Sequence, residues 1–268
     1  MKISGVPKST FYYELKHQSD KSNKDKAIIN EIKRIFNNQG QRYGVRRVYY
    51  ELRNNGYIIN HKKVQRIMNE NGLMAITPKR KYHSYQGTVG VVADNLINRN
   101  FKADKPNLKW STDISQFNCV FGKCYLSPLL DMSCNYIVSY DLSLSPNIEQ
   151  VKRMLKKAFD KYEDLSKLVI HSDQGWQYQN PQYVKMLKEK GVTQSMSRKG
   201  NCFDNCIIES FFGHMKNEMF YGHENSYKTF DEFKKAVDDY IKYYNEGRIN
   251  SKCNYLTPKN YKNMLMNL

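Results

Sequence analysis

The feature that most constrains the fold is a change of hydrophobic period near Pro106. Upstream, apolar residues recur at helical spacing; downstream, short β-rich runs come first and then alternate with helical stretches. In residues 24–38, Ile28, Ile32, Ile35 and Phe36 share one helical face, and Gly40 ends the run. Residues 42–73 hold two more helices. Val45, Val48, Tyr49 and Leu52 stripe the first, while Asn60 is placed to cap a second that buries Val64, Ile67 and Met68 and stops at Gly72. With Gly56 between them, this is a helix-turn-helix pattern, and residues 21–78 are expected to form a small all-α helix-turn-helix domain. Residues 1–20, with Gly5 in a turn and Pro7 at a helix start, read as part of another helical unit. Residues 79–105 keep no period and are rich in Lys, Arg, Asn and Gly, the composition of a basic linker.

Past Pro106 the order is three strands ("WSTDISQF", "KCYLSPLLDM", "YIVSYDLS"), helix, strand ("KLVIHSD"), helix, strand ("TQSMS"), helix. That order predicts an α/β fold, a mixed sheet with flanking helices that is antiparallel at first and parallel later.

Charge follows the same division. The net charge is +17, but residues 1–105 carry 21 Lys and Arg against 8 Asp and Glu, whereas residues 106–268 carry 22 against 18. The front is suited to a polyanion, because each phosphate neutralised releases condensed counterions. Arg42, Arg46, Arg47, Lys62, Lys63 and Arg66 lie on the polar face of the two helices, where only Glu51 and Glu70 are acidic, so they are the candidate DNA contacts. A solvated face is the plain alternative. No apolar run reaches the roughly 18 residues of a membrane span, and the first residues lack a secretory signal's hydrophobic centre, so no membrane partner and a cytoplasmic setting are expected. Six cysteines in such a chain read as reduced thiols.

Three acidic residues fall at telling places: Asp113 within the first strand, Asp173 at the end of the fourth, and Glu209 one turn inside "NCIIESFFGHMKNEMF". If the first and fourth strands are neighbours, the aspartates lie side by side and the helix can bring Glu209 to them. Three ionised carboxylates together require a cation. Oxygen ligands select Mg²⁺ or Mn²⁺, and two such ions would serve phosphoryl transfer. Against this stand a turn role for Asp173 and solvent-facing roles for the other two. Lys216 shares a helix face with Glu209, and Arg198 and Lys199 in "SRKGNCFDN" are candidate phosphate contacts, while Asp204 or Asn205 suits a helix N-cap. His171, two residues before Asp173, either orients that carboxylate or is structural; Trp110 and Trp176 read as core or site wall.

These blocks, "NRNFKADKPNLKWSTDIS", "HSDQGWQY" and "SMSRKGNCFDNCIIESFFGHMKNE", resemble the catalytic blocks of bacterial insertion-sequence transposases of the insertion-sequence-three type, OrfB product. "RYGVRRVYYEL" resembles their helix-turn-helix block and "YYNEGRINSKCNYLTPKNY" their closing segment. The resemblance implies a ribonuclease-H-like, integrase-type core with a five-stranded mixed sheet over residues 106–222, and a helical segment over 223–268. It implies an Asp, Asp, Glu triad whose last two members are 35 residues apart, as Asp173 and Glu209 are, with these and Asp113 as catalytic metal ligands. It further implies Mg²⁺-dependent cleavage and strand transfer on the element's terminal repeats and target DNA by a homo-oligomer. An upstream OrfA-type partner or fusion, and a bacterial cytoplasm at the nucleoid, complete the expectation. The rival reading is a non-catalytic DNA-binding regulator.

Overall fold

In the computed structural model the chain divides into two units, residues 1–76 and 77–268, and the structure describes residues 25–75 and 92–267. The helical segment expected over 1–20, and the linker as far as residue 91, lie outside the described residues.

Among its described residues the first unit holds three helices: α1 (25–38), α2 (Val45–Asn54) and α3 (His61–Glu70). Their apolar stripes meet, burying Ile32, Ile35 and Phe36 with Val48, Leu52, Val64, Ile67 and Met68. Asn60 caps α3, its Oδ1 accepting the Lys62 N–H at 2.9 Å. Gly56, at φ +86°, makes the turn from α2 in a conformation that side chains resist.

The second unit is built on one mixed sheet of β1 (Lys109–Thr112), β2 (Ser115–Cys119), β3 (Gly122–Asp131), β4 (Tyr136–Ser143), β5 (Val169–Ser172) and β6 (Thr193–Met196). Six strands stand where five were expected because the first run is broken. β1 and β2 pair antiparallel with β3 in one continuous register, so together they occupy one position in the sheet. That register sets Asp113, in the break, opposite Pro128, a residue with no N–H to give to a ladder. β4 lies on the far side of β3; β5 and β6 continue parallel from β1.

Helices cover both faces. Against one face lie α4 (Ile148–Phe159) and α5 (Pro181–Glu189), which close a core with Trp110, Leu129, Val138 and Ile170. Against the other lie α6 (Cys206–Met215) and α7 (Phe230–Glu246), packed on Phe117, Leu126, Leu130 and Ile137 through Ile208, Phe211, Phe233 and Val237. Asn245 of α7 reaches the edge strand β4 and bonds both backbone groups of Ile137, at 2.9 and 3.0 Å, so that edge is not left bare there.

Residues 92–105, linker-like in composition, run along this core. The Leu96 N–H donates to Ser195 Oγ at 2.9 Å, Asn95 and Arg99 both bond Asp204, and Lys109 Nζ donates to the carbonyls of Asn100 and Lys102. The segment is held by these polar contacts and by isolated apolar ones from Ala93, Ile97 and Phe101, which together leave no hydrophobic period in a sequence.

Beyond α7, a helix α8 (Pro258–Met266) ends the described chain. Between the two, Arg248 is 1% exposed and grips Glu218 with Nε and Nη2, its Nη2 at 2.9 Å from Oε1, while the Tyr240 hydroxyl donates to the same carboxylate. This ion pair ties the α7 end to the turn that follows α6. Replacing one partner strands the other charge in the core. Arg248→Met is therefore expected to cost about 3–5 kcal/mol in urea unfolding, and Arg248→Met with Glu218→Gln to recover most of it. Equal loss in the single and double variants would contradict the account.

Candidate active site

Strand alternation decides which side chains face α6. On β1, Trp110 and Thr112 point to the α4 side, with the Thr112 hydroxyl 3.7 Å from Met154 Sδ, which leaves Ser111 and Asp113 for the α6 side. On β5, Ile170 enters the α4-side core, so His171 and Asp173 share the α6 side. The parallel register pairs Ser111 with His171, and two residues further along it sets Asp113 beside Asp173, at the carboxyl ends of adjacent parallel strands.

Glu209 comes from α6. Its entry is a 3-10 turn (Cys202–Asn205), and past Met215 the helix widens into a π-helical turn (Lys216–Phe220), closed by the Tyr221 N–H on the Lys216 carbonyl at 2.7 Å. Lys216 thus opens the π turn, with its ammonium 5.1 Å from the Phe117 ring centre and within electrostatic reach of Asp113.

The carboxylates feel one another. Burial first, then the charge of Asp173 and, more weakly, of Glu209, hold Asp113 well above the usual carboxylate range, against the Ile114 N–H at 2.7 Å and Lys216. Burial also raises Asp173, with the Gly175 N–H on its Oδ1 at 2.9 Å opposing. Glu209, exposed on α6, is raised by partial desolvation and by the charge of Asp173. Lys216 is lowered by burial, with Asp113 pulling the other way. A side chain at Gly175 would displace the Asp173 carboxylate or the Gln177 amide, since a Cβ there would lie 2.9 Å from Asp173 Oδ1 and 2.6 Å from Gln177 Nε2.

The donor set fits a hard divalent cation in kind: three carboxylates within charge reach, Asp173 and Glu209 raising Asp113 and Asp173 raising Glu209, with one ammonium beside them. Among the described residues, no three His, Cys, Asp or Glu side chains stand close enough together to enclose an ion by themselves. Cation and substrate phosphate would have to draw the set together.

Other expected residues fall differently. His171, fully buried, does not reach Asp173; its Nδ1 is 2.9 Å from Ser195 Oγ and its Nε2 3.0 Å from the Asp204 carbonyl. Neither Asp204 nor Asn205 caps α6 through its side chain. Asp204 is a buried hub instead: Arg198 grips it with Nε and Nη2 at 2.8 Å each, and Arg99 Nε lies at 2.9 Å, so these arginines hold its pKa far down. Arg198 is thereby engaged, while Lys199 is exposed. Arg99 and Asp204 work as a pair across more than a hundred residues, and neither stood out in the sequence as such. Trp110 is core; Trp176 is 48% exposed, three residues past Asp173.

In the first unit, the basic face has an acidic partner that the two helices by themselves did not reveal. Asp25 of α1 lies 2.6 Å from Lys63 and 2.7 Å from Arg66, and Glu70 lies 2.9 Å from Arg66. The Arg47 guanidinium donates to the Arg42 carbonyl at 3.4 Å. Arg46 and Lys62 are exposed and form no ion pair with a described residue.

Raised carboxylates make the metal-free protein less stable as pH rises. In the folded state Asp113, Asp173 and Glu209 hold their protons to higher pH than in the unfolded chain, so stability is lost from the ordinary carboxylate pKa up through the raised ones. Asp113→Asn should raise the Tm of the metal-free protein at pH 7.5 by about 2–4 °C, have little effect at pH 4, and abolish the upshift that Mg²⁺ gives the wild type. Thermal melts across pH test this; a lowered Tm at pH 7.5 would contradict it.

Family models described as an integrase core domain match residues 103–202 and 209–266, and one described as an HTH-like domain matches residues 22–81. The transposase InsK for insertion sequence element IS150 of Escherichia coli (strain K12) is 45% identical over 263 residues, 98% of this chain and 92% of that protein. A transposase-like protein of Haemophilus influenzae is 51% identical over 209 residues, 78% of this chain and 95% of that protein. Among solved structures, a chain from the simian T-cell lymphotropic virus intasome in complex with PP2A regulatory subunit B56 gamma matches with a TM-score of 0.52, at 14% identity, over 76% of this chain and 67% of that one, a likeness of fold. With relatives along nearly its whole length, a helical front unit and an integrase-type sheet, the chain belongs to the insertion-sequence transposases of the insertion-sequence-three type.

Proposed function

We propose that Asp113, Asp173 and Glu209 are the catalytic carboxylates with which this transposase cuts and joins DNA, and that they hold Mg²⁺ or Mn²⁺, taken as two ions. One observation carries the reading: the β1–β5 register puts two aspartates side by side at the carboxyl ends of parallel strands, and α6 brings a glutamate close enough that it and Asp173 raise the pKa of Asp113 and Asp173 raises that of Glu209. The chemistry the ions supply when bound is polarisation of the scissile phosphate and neutralisation of the leaving oxygen.

The chain's own residues orient the rest. Lys216, beside Asp113, suits an adjoining phosphate oxygen, and exposed Lys199 suits the strand backbone. Hydrolysis at an element end breaks one phosphodiester and frees a 3′-hydroxyl. That hydroxyl then attacks a target phosphodiester, one bond forming as one breaks, so joining needs no external energy source and no covalent protein intermediate.

Residues 21–78 are assigned to duplex binding, 106–222 to chemistry and 223–268 to bracing the core. The terminal repeats are the DNA bound by the front unit, and pairing two ends calls for at least two copies of the chain, together with an OrfA-type partner or fusion. In the front unit, Arg46 and Lys62 are the strongest candidate phosphate contacts, with Arg42 and Arg47 beside them. Lys63 and Arg66 divide their charge with Asp25 and Glu70.

Two measurements test this. With labelled element-end DNA and Mg²⁺, Glu209→Gln should bind normally but nick and join at least about a hundredfold more slowly, because a metal ligand is lost while the fold persists; wild-type rates would remove Glu209 from the site. In salt titrations of duplex binding, Arg46→Ala and Lys62→Ala should each reduce the slope of log K against log salt by about one, and Arg66→Ala by less. A larger change for Arg66→Ala would reverse the ranking.

A further inference from the structure

Resting on that triad, we propose that Ser111 and His171 are positioning residues: a cross-strand pair that clamps the entry of α6 and so fixes where Glu209 stands relative to Asp113 and Asp173. Ser111 lies two residues before Asp113, and His171 two before Asp173, so strand alternation sends all four side chains to the α6 side. Ser111 and His171 are direct partners in the parallel register. Both are buried, at 1% and 0% exposure, and both reach the two residues that lead into α6. Ser111 Oγ is 3.3 Å from Asn205 Oδ1, and His171 Nε2 is 3.0 Å from the Asp204 carbonyl.

The hydrogen-bond arithmetic fixes the imidazole. A backbone carbonyl only accepts, so Nε2 carries the proton and donates it to Asp204. Nδ1 then accepts from the Ser195 hydroxyl at 2.9 Å, while Ser195 Oγ itself accepts the Leu96 N–H. Every polar atom of the ring is satisfied, and the ring cannot turn without losing two bonds. From the other side, Asp204 is held through its carboxylate by Arg198, Arg99 and Asn95. Asp204, two residues before the helix, is therefore fastened by both main chain and side chain.

Glu209 follows Asn205 by about one helical turn, a rise of about 6 Å, on a helix with no other side-chain cap at its start. The strands that carry the two aspartates thus set, through Ser111 and His171, the starting point of the helix that carries the third carboxylate. Such coupling has a use here, since the carboxylates do not form a closed cage by themselves. A displacement of about 1 Å at a catalytic group can cost on the order of a hundredfold in rate, and loss of a supporting hydrogen bond behind a metal ligand typically costs 10–100-fold in metal affinity.

The test uses the full chain with four substitutions: His171→Phe, His171→Gln, Ser111→Ala and Glu209→Gln. For each, the Mn²⁺ concentration at half-maximal thermal upshift and the strand-transfer rate at saturating Mn²⁺ are measured. His171→Phe keeps the bulk and loses the donor; it should raise the half-saturating Mn²⁺ at least about fivefold and slow transfer about tenfold or more. His171→Gln restores an N–H donor towards Asp204 and should return both values to within about threefold of wild type. Ser111→Ala should shift both in the same direction by about twofold to threefold, and it decides the matter if the histidine variants do not fold. Wild-type values for a folded His171→Phe, equal impairment of the Phe and Gln variants with the Mn²⁺ requirement unmoved, or unshifted values for Ser111→Ala would each overturn the clamp. Glu209→Gln separates the two levels. If it is impaired while the clamp variants are not, the triad stands and the clamp falls; if it matches wild type in both readouts, the triad fails and takes the clamp with it.

Discussion

The parallel pairing of β1 with β5 is the constraint from which the rest of the second unit follows. β3 and β4 reach β1 by hairpins, but β5 arrives only after α4 has crossed the sheet, and the residues that meet are sixty apart. That single register sets Asp113 beside Asp173 and Ser111 beside His171. It also makes the carboxyl ends of two parallel strands the place where like charges gather. A slip of β5 by one residue against β1 would turn Asp173 and His171 toward the α4-side core and leave Asp113 without its neighbour.

Concentrating negative charge there has a structural cost, and the surroundings show how it is contained. Asp113 stands in a break of the strand, opposite a proline, where the ladder is already interrupted and the Ile114 N–H is available to its carboxylate. Asp173 takes the N–H of Gly175, a position whose side chain must be absent for that approach. Lys216 is delivered by a π turn at the end of α6. Further out, carboxylates set into the fold are matched by arginines: Asp204 by Arg198 and Arg99, Glu218 by Arg248. Within this unit, the acidic groups coupled to one another are raised, and the one bound bidentately by arginine and bracketed by a second is held down.

The first unit shows a different balance. Its described helices bury a small apolar core and leave a basic face, yet part of that face is neutralised from within by Asp25. Exposed charge that no carboxylate among the described residues claims is the part proposed to meet phosphate first, which is why Arg46 and Lys62 are proposed ahead of Arg66.

The amino-acid sequence by itself determined the order of elements, the helical stripes of the front unit and the alternation on each strand, because these depend on residues a few positions apart. It also named the three acidic side chains and, through several ordered blocks, the family. Neighbouring residues cannot report what distant ones do. That the first strand would split at Asp113, that residues 92–105 would lie along the core, that His171 would bond Asp204 and not Asp173, and that Asp25 would temper Lys63 and Arg66 were all decided by tertiary structure. Each depends on which residues of separate segments meet, across a strand ladder, through isolated apolar contacts or through polar pairs, and such meetings impose no period and no local composition. Only the closed fold, where every buried donor must find an acceptor, fixes them.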